Sequence, residues 1–193
     1  DKTEMTKGAA VATAGAAIAS NPYTDYIPAD RHSEVSAPAK LAVAEPSPAE
    51  IAAERLLAER RCLAEAMYYE ARGEGTEGEE AVAEVVFNRM RSGAFPATIC
   101  GVVYEGANLK HACQFSFTCN GELNRPKNAR AWARAKYLAT KITMGTLPLS
   151  DLTGDATSYH ATDVQPGWAD QMEETVQIGN HIFYREVPRS RSS

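Results

Sequence analysis

Met67-Tyr68-Tyr69-Glu70-Ala71-Arg72-Gly73-Glu74 decides how the rest of this 193-residue chain is read, because an apolar helical run here delivers a carboxylate to its own C-terminal end. Helical intervals back from Glu70 lead to Met67, Ala66 and Leu63, with Leu56 a further seven residues back, so Glu70 falls on the stripe expected to face the core. Desolvation on that stripe favours the protonated carboxyl and raises its pKa toward neutrality, the property a general acid needs. The same placement also suits a structural Glu paired with Arg72 or another cation.

Upstream, Ser47-Pro48-Ala49-Glu50 combines a capping Ser, a Pro at the first helical position and a Glu at the third, so a helix is expected to start there. Ile51 to Ala71 contains neither Pro nor Gly, and Gly73 and Gly75 end the run, which puts Glu70 in the last turn. The helix dipole disfavours an anion at that end and adds a small push toward the neutral acid. Downstream, Gly78 to Arg91 reads as a second helix with Ala81, Val82, Val85, Val86 and Met90 on its core stripe. Asn88 interrupts the apolar run of that helix, where its amide can orient a sugar or a water, or make local backbone bonds.

Ser92 to Pro96 is a turn, and Thr98 to Tyr104 fits strand or helix. Pro126 to Gly145 is expected as a third long helix capped by Asn124, with Ala131, Trp132, Ala135, Leu138, Ala139 and Ile142 at helical spacing. Leu147 to Asp155 is a loop, and Thr157 to Ala161 a short strand. In such a strand His160 is more often structural than catalytic. Val176 to Val187 holds Gly179-Asn180 between two apolar runs, a hairpin signal. The fold class is α+β, mainly helical, with a small antiparallel sheet or hairpin in the C-terminal part.

A 44% hydrophobic content in a chain of this length fits one domain with one sizeable core. The formal charge of −5, from 20 basic and 25 acidic side chains, gives no basic field, so nucleic acid is not an expected partner. No apolar run approaches the roughly 20 residues that span a bilayer, so the body is expected to be soluble. Residues 1–46 read as a flexible Ala/Pro-rich arm or linker, 47–187 as the folded domain and 188–193 as a disordered tail. For a chain that opens on Asp1, the expectation is that a targeting segment is absent or already removed.

Four cysteines, Cys62, Cys100, Cys113 and Cys119, allow three pairings, and spacing does not choose among them. Close CxxC or HxxxH spacing is missing, so two disulfides in an oxidising compartment are expected rather than a metal site, with free core thiols as the alternative. No metal or other cofactor is expected.

Five stretches in order, CLAEAMYYEARGE, EAVAEVVFNRMRSGAFPATICGVVY, CQFSFTC, SYHATDVQPGWA and IGNHIFY, make the chain from Arg61 to Tyr184 resemble the SleB/CwlJ family of cell-wall hydrolases, the spore-cortex lytic enzymes and their Gram-negative relatives. The resemblance implies a lysozyme-like fold and cleavage of the peptidoglycan glycan strand between N-acetylmuramic acid and N-acetylglucosamine, with Glu70 as the acid. It places Asn88, Gln114, Ser116, Tyr159, His160 and Trp168 along the substrate groove. Relatives that keep only the equivalents of Cys62 and Cys100 imply that these two pair, leaving Cys113 with Cys119. The cysteines of CQFSFTC set the chain with the Gram-negative branch, which implies a periplasmic or envelope protein, and a monomer is expected.

Ordinary glycosidases set two carboxylates across the bond, about 5 Å apart when retaining and about 6.5–9.5 Å when inverting. Only Glu70 is well placed here. Glu74 is expected to cap or solvate a helix end, and Asp163 and Glu122 to be surface groups. One acid suffices if, after protonating the leaving oxygen, it takes the proton of the C6 hydroxyl of the same muramic acid, giving a 1,6-anhydro end in a groove walled by Phe115, Phe117, Tyr159 and Trp168. The alternatives are a hydrolytic muramidase with a second carboxylate, or a non-catalytic peptidoglycan-binding envelope-assembly protein.

Overall fold

The computed structural model describes residues 45–109 and 113–187. The arm expected at 1–46 and the tail expected at 188–193 lie outside these residues except for Glu45 and Pro46.

Helix α1 (Pro48–Ala71) starts at a complete capping box: Glu50 N donates to Ser47 Oγ at 3.3 Å and Ser47 N donates to Glu50 Oε2 at 2.7 Å. Its second half is buried from Cys62 to Tyr68, while its first half is exposed. Leu56, expected on the core stripe, is therefore 43% exposed. The stripe is real only where α2, α3 and α4 cover the helix.

Helix α2 (Gly75–Ser92) begins three residues earlier than expected, because Glu74 N bonds back to Ala71 O and Gly75 turns the chain at a φ of 77°. Helix α3 is Ile99–Val103, capped by Thr98. Helix α4 (Ala129–Thr143) is shorter than expected: Asn128, not Asn124, accepts from the Ala131 N–H at 3.0 Å, and Asn124 sits in a separate 3-10 turn, Glu122–Asn124. Ala135, Leu138, Ala139 and Ile142 are buried, whereas Ala131 and Trp132 are half-buried at the rim.

Strands β1 (Ser158–Ala161), β2 (Glu173–Ile178) and β3 (His181–Arg185) form an antiparallel sheet in the order β1-β3-β2, with Gly179-Asn180 as the β2–β3 turn. The main core joins Leu63 and Met67 of α1 to Val82 and Val86 of α2, Val102 and Val103 of α3, Phe117, and Leu138 of α4. A second cluster, Ala81, Val85, Ala156, Ile178 and Phe183, seats α2 on the sheet. Helix α2 thus buries two faces at once, which its run of Ala and Val allows. The result is the expected lysozyme-like α+β arrangement. No helix of the described residues is long and apolar enough to cross a membrane.

Cys62 pairs with Cys100, and Cys113 with Cys119. The first bridge ties α1 to α3, and the second closes a six-residue step around the 3-10 turn Ser116–Thr118.

Candidate active site

Glu70 ends α1 where β1 and the 114–116 segment approach it, and a cavity of about 250 Å³ opens there. Glu70, Arg89, Gln114, Phe115, Ser116, Tyr159, His160, Ala161 and His181 line it. Glu70 is half-buried, and the Tyr159 hydroxyl donates to its Oε2 at 3.1 Å. Burial holds the Glu70 carboxyl above the usual carboxylate range. The Tyr159 hydrogen bond and the neighbouring His181 and Arg89 pull it down, while Glu122 pushes it up. Arg72 offers no counter-charge, since its guanidinium lies over the Tyr68 ring, 5.2 Å from the centroid. Glu70 is not the partner of a structural ion pair among the described residues.

Arg89 was not foreseen. It lies on the buried α2 stripe at helical spacing from Val82, Val85 and Val86, as Glu70 does on α1, and that spacing is the signal that could have found it. Its Nε donates to Thr157 O at 2.7 Å, and its guanidinium lies between the Phe95 and Phe115 rings. Burial lowers its pKa from the free value without removing its charge. The Gln114 amide oxygen, turned toward the guanidinium, accepts from Nη2 and Nη1 at 2.9 and 3.0 Å. Arg89 therefore holds both the strand that carries Tyr159 and the segment that carries Ser116.

Gln114, Ser116, Tyr159 and His160 reach the Glu70 cavity, and Asn88 and Trp168 do not line it. The buried Asn88 amide donates to Ala156 O at 2.9 Å and to Thr153 Oγ1 at 3.4 Å, so it pins the loop before β1 to α2. Trp168 packs edge-on against His160 and Tyr184 and touches the site through His160. Phe117 is a core residue, 1% exposed and stacked on Tyr69, rather than a groove wall.

Glu74 neither solvates nor caps a helix end. Its side chain is 9% exposed and makes no capping bond on α2; it reaches across to the β2–β3 turn, accepting from Asn180 N at 3.2 Å and lying 3.0 Å from His181 Nδ1. A Cβ on Gly179 would meet the Glu74 carboxylate at 2.8 Å, which is why the turn carries Gly there. Asp163 is exposed and Glu122 half-buried, and neither lines the cavity. Among the described residues no group of three or more His, Cys, Asp or Glu side chains could hold a metal.

Residues 73–184 match the family described as Cell Wall Hydrolase. The chain belongs to the Cell Wall Hydrolase family. The matched span begins three residues after Glu70, so Glu70 stands just ahead of it. Similar proteins include the spore cortex-lytic enzyme of Oceanobacillus iheyensis, 33% identical over 122 residues, 63% of this chain and 39% of that protein. The spore cortex-lytic enzyme of Bacillus subtilis is 30% identical over 124 residues, 64% of this chain and 36% of that protein. The chain thus spans well under half the length of these relatives.

Two solved structures share this Cell Wall Hydrolase fold. The catalytic domain of the Bacillus cereus SleB protein aligns with a TM-score of 0.51 at 30% identity, covering 66% of this chain and 89% of that one. The catalytic domain of the germination-specific lytic transglycosylase SleB from Bacillus anthracis aligns with a TM-score of 0.50 at 30% identity, covering 66% and 93%.

Proposed function

We propose that this member of the Cell Wall Hydrolase family cleaves peptidoglycan glycan strands between N-acetylmuramic acid and N-acetylglucosamine, with Glu70 protonating the leaving oxygen. The observation that carries the reading is a carboxyl whose pKa burial raises, and which is the sole carboxylate among the described residues lining a cavity of polar and aromatic side chains. A cleft built for two-carboxylate hydrolysis sets the second carboxylate across the bond. Glu74, the nearest in sequence, is instead engaged by His181 and Asn180.

A lone acid suffices when the C6 hydroxyl of the reacting sugar replaces water as the nucleophile, so the reaction is a lytic transglycosylation that leaves a 1,6-anhydro-muramic acid end. The B. anthracis neighbour, described as a lytic transglycosylase, supports that choice. Gln114 and Ser116 supply exposed polar atoms on one wall of the cavity, and Tyr159 supplies its ring on another. Residues 47–187 are the catalytic unit. The paired cysteines and the cell-wall chemistry point to an exported protein that works in the periplasm or cell envelope.

Glu70→Gln tests the assignment, because an amide of the same shape cannot donate the proton. Muropeptide release from purified sacculi is expected to fall at least about 100-fold with the fold intact. Near-wild-type release from that variant would overturn it. A wild-type protein that binds sacculi and releases nothing would make the chain a non-catalytic envelope protein.

A further inference from the structure

Two histidines line the cavity of Glu70, and their ring nitrogens are used differently. His160 engages both: Nδ1 lies 2.9 Å from Ala161 O and Nε2 lies 3.0 Å from the Tyr184 hydroxyl. Its ring stacks on Tyr184 and meets the edge of Trp168, so it is a strut of the sheet.

His181 engages one. Its Nδ1 is 3.0 Å from Glu74 Oε2, with the two side chains 11% and 9% exposed. Its Nε2 has no hydrogen-bond partner among the described residues. It is not sealed in the core either, since the one unpartnered buried side-chain oxygen or nitrogen among those residues is Glu105 Oε2. His181 itself lines the cavity.

Glu74 settles the tautomer. A carboxylate only accepts, so Nδ1 carries the proton and Nε2 presents a lone pair. Glu74 is itself fixed by the Asn180 N–H and packed against Gly179. A histidine oriented by a buried carboxylate, with its far nitrogen open to a site, can take up a proton while the carboxylate stabilises the imidazolium.

We propose that His181, oriented by Glu74, is the proton acceptor of this reaction, so that acid and base duties fall to different residues. The proposal rests on the reading of Glu70 as the acid. The Glu70 proton passes to the glycosidic oxygen as its bond to C1 of the muramic acid breaks, and the C6 hydroxyl oxygen bonds to C1. The hydroxyl proton passes to His181 Nε2. The step leaves a free hydroxyl on the departing N-acetylglucosamine, a 1,6-anhydro end, a Glu70 carboxylate and an imidazolium beside Glu74. Return of that proton to Glu70 through solvent restores the starting state, and no water is consumed.

The titratable and charged groups that face His181 are Glu70 from α1, Glu74 from the turn after it, Arg89 from α2 and the Tyr159 hydroxyl from β1. Its cross-strand neighbour on β2 is the uncharged Ile178.

The test is the pH–rate profile of muropeptide release from sonicated sacculi for the full chain and three variants. His181→Asn keeps a donor toward Glu74 and removes the acceptor. It is expected to lower kcat about 100-fold or more with apparent KM within about threefold, and to turn a two-limbed profile into a single limb that descends as Glu70 ionises. Glu74→Gln keeps an acceptor for Nδ1–H and removes the charge that favours the imidazolium. It is expected to lower kcat about tenfold with apparent KM within about threefold. Folded His181→Asn protein that keeps kcat within about threefold and both limbs in place overturns the proposal. If that variant does not fold, Glu74→Gln decides alone, and a kcat that stays within about threefold of the unmutated chain overturns it. Retained activity in Glu70→Gln would instead remove the acid assignment, whatever His181 does.

Discussion

Tyr159 on β1 donates its hydroxyl to Glu70 Oε2 at 3.1 Å, joining the sheet to the last turn of α1 across 89 residues. The bond favours the charged carboxyl, while burial favours the neutral one, and burial is the larger effect. Tyr159→Phe removes the opposing contribution, so the Glu70 titration midpoint should move to still higher pH. Carbon NMR titration of the glutamate carboxyls checks this, and a midpoint that falls or stays would contradict it.

The raised pKa also has a stability consequence. A group whose folded pKa lies above its unfolded value contributes stability that is full below the unfolded value and is lost as pH rises through the folded one. Glu70→Gln should therefore raise the thermal midpoint at about pH 7, by roughly 2–4 °C per kcal/mol recovered, and give no such gain at about pH 4. Thermal scans at both values measure the difference, and equal gains at the two would speak against a desolvated acid.

The two disulfides close loops of different length, 38 and 6 residues of separation. Chain entropy gives about 4 kcal/mol for the Cys62–Cys100 loop and about 2 kcal/mol for Cys113–Cys119. Denaturant unfolding of Cys62→Ala/Cys100→Ala and Cys113→Ala/Cys119→Ala should rank them in that order. The second bridge encloses the segment that carries Gln114 and Ser116, so its loss should lower activity more than stability.

Glu79 on α2 is fully buried and held by Arg134 of α4 through two bonds of 2.8 and 3.0 Å. Arg134→Ala leaves that carboxylate without a cation. With the guanidinium itself one-third exposed, the loss should be about 2–3 kcal/mol, below the roughly 3–5 kcal/mol of a fully buried pair that loses one partner. Because the Glu79 pKa is already raised by burial, the deficit should shrink at low pH as the carboxyl protonates. Urea titrations at two pH values read both effects, and a pH-independent deficit would argue against an unpaired carboxylate as the cause.

Helix α1 and the β2–β3 hairpin were legible because their signals are local: the Ser47–Glu50 box, the Pro- and Gly-free run to Ala71, and the Gly179-Asn180 turn each specify structure within a few residues. Leu56 and the ends of α2 and α4 were misplaced because tertiary cover, and the competing cap at Asn128, decide them. Within the site, Glu70 was found as a charge on an apolar stripe. Arg89 bore the same mark and was passed over. His181 and Glu74 were not legible as a pair, since nothing local in either sequence neighbourhood announces a hydrogen bond across 107 residues. Asn88 read as a site residue because a buried amide looks alike whether it faces a ligand or a loop.

The most direct measurement is mass spectrometry of the muropeptides released from purified sacculi. A lone Glu70 acid with the C6 hydroxyl as nucleophile predicts products ending in 1,6-anhydro-N-acetylmuramic acid, each lighter by one water than its hydrolytic counterpart, and none from Glu70→Gln. Release of reducing-end products alone, abolished by changing Glu74, Glu122 or Asp163 to Ala, would contradict the account and make the chain a two-carboxylate muramidase.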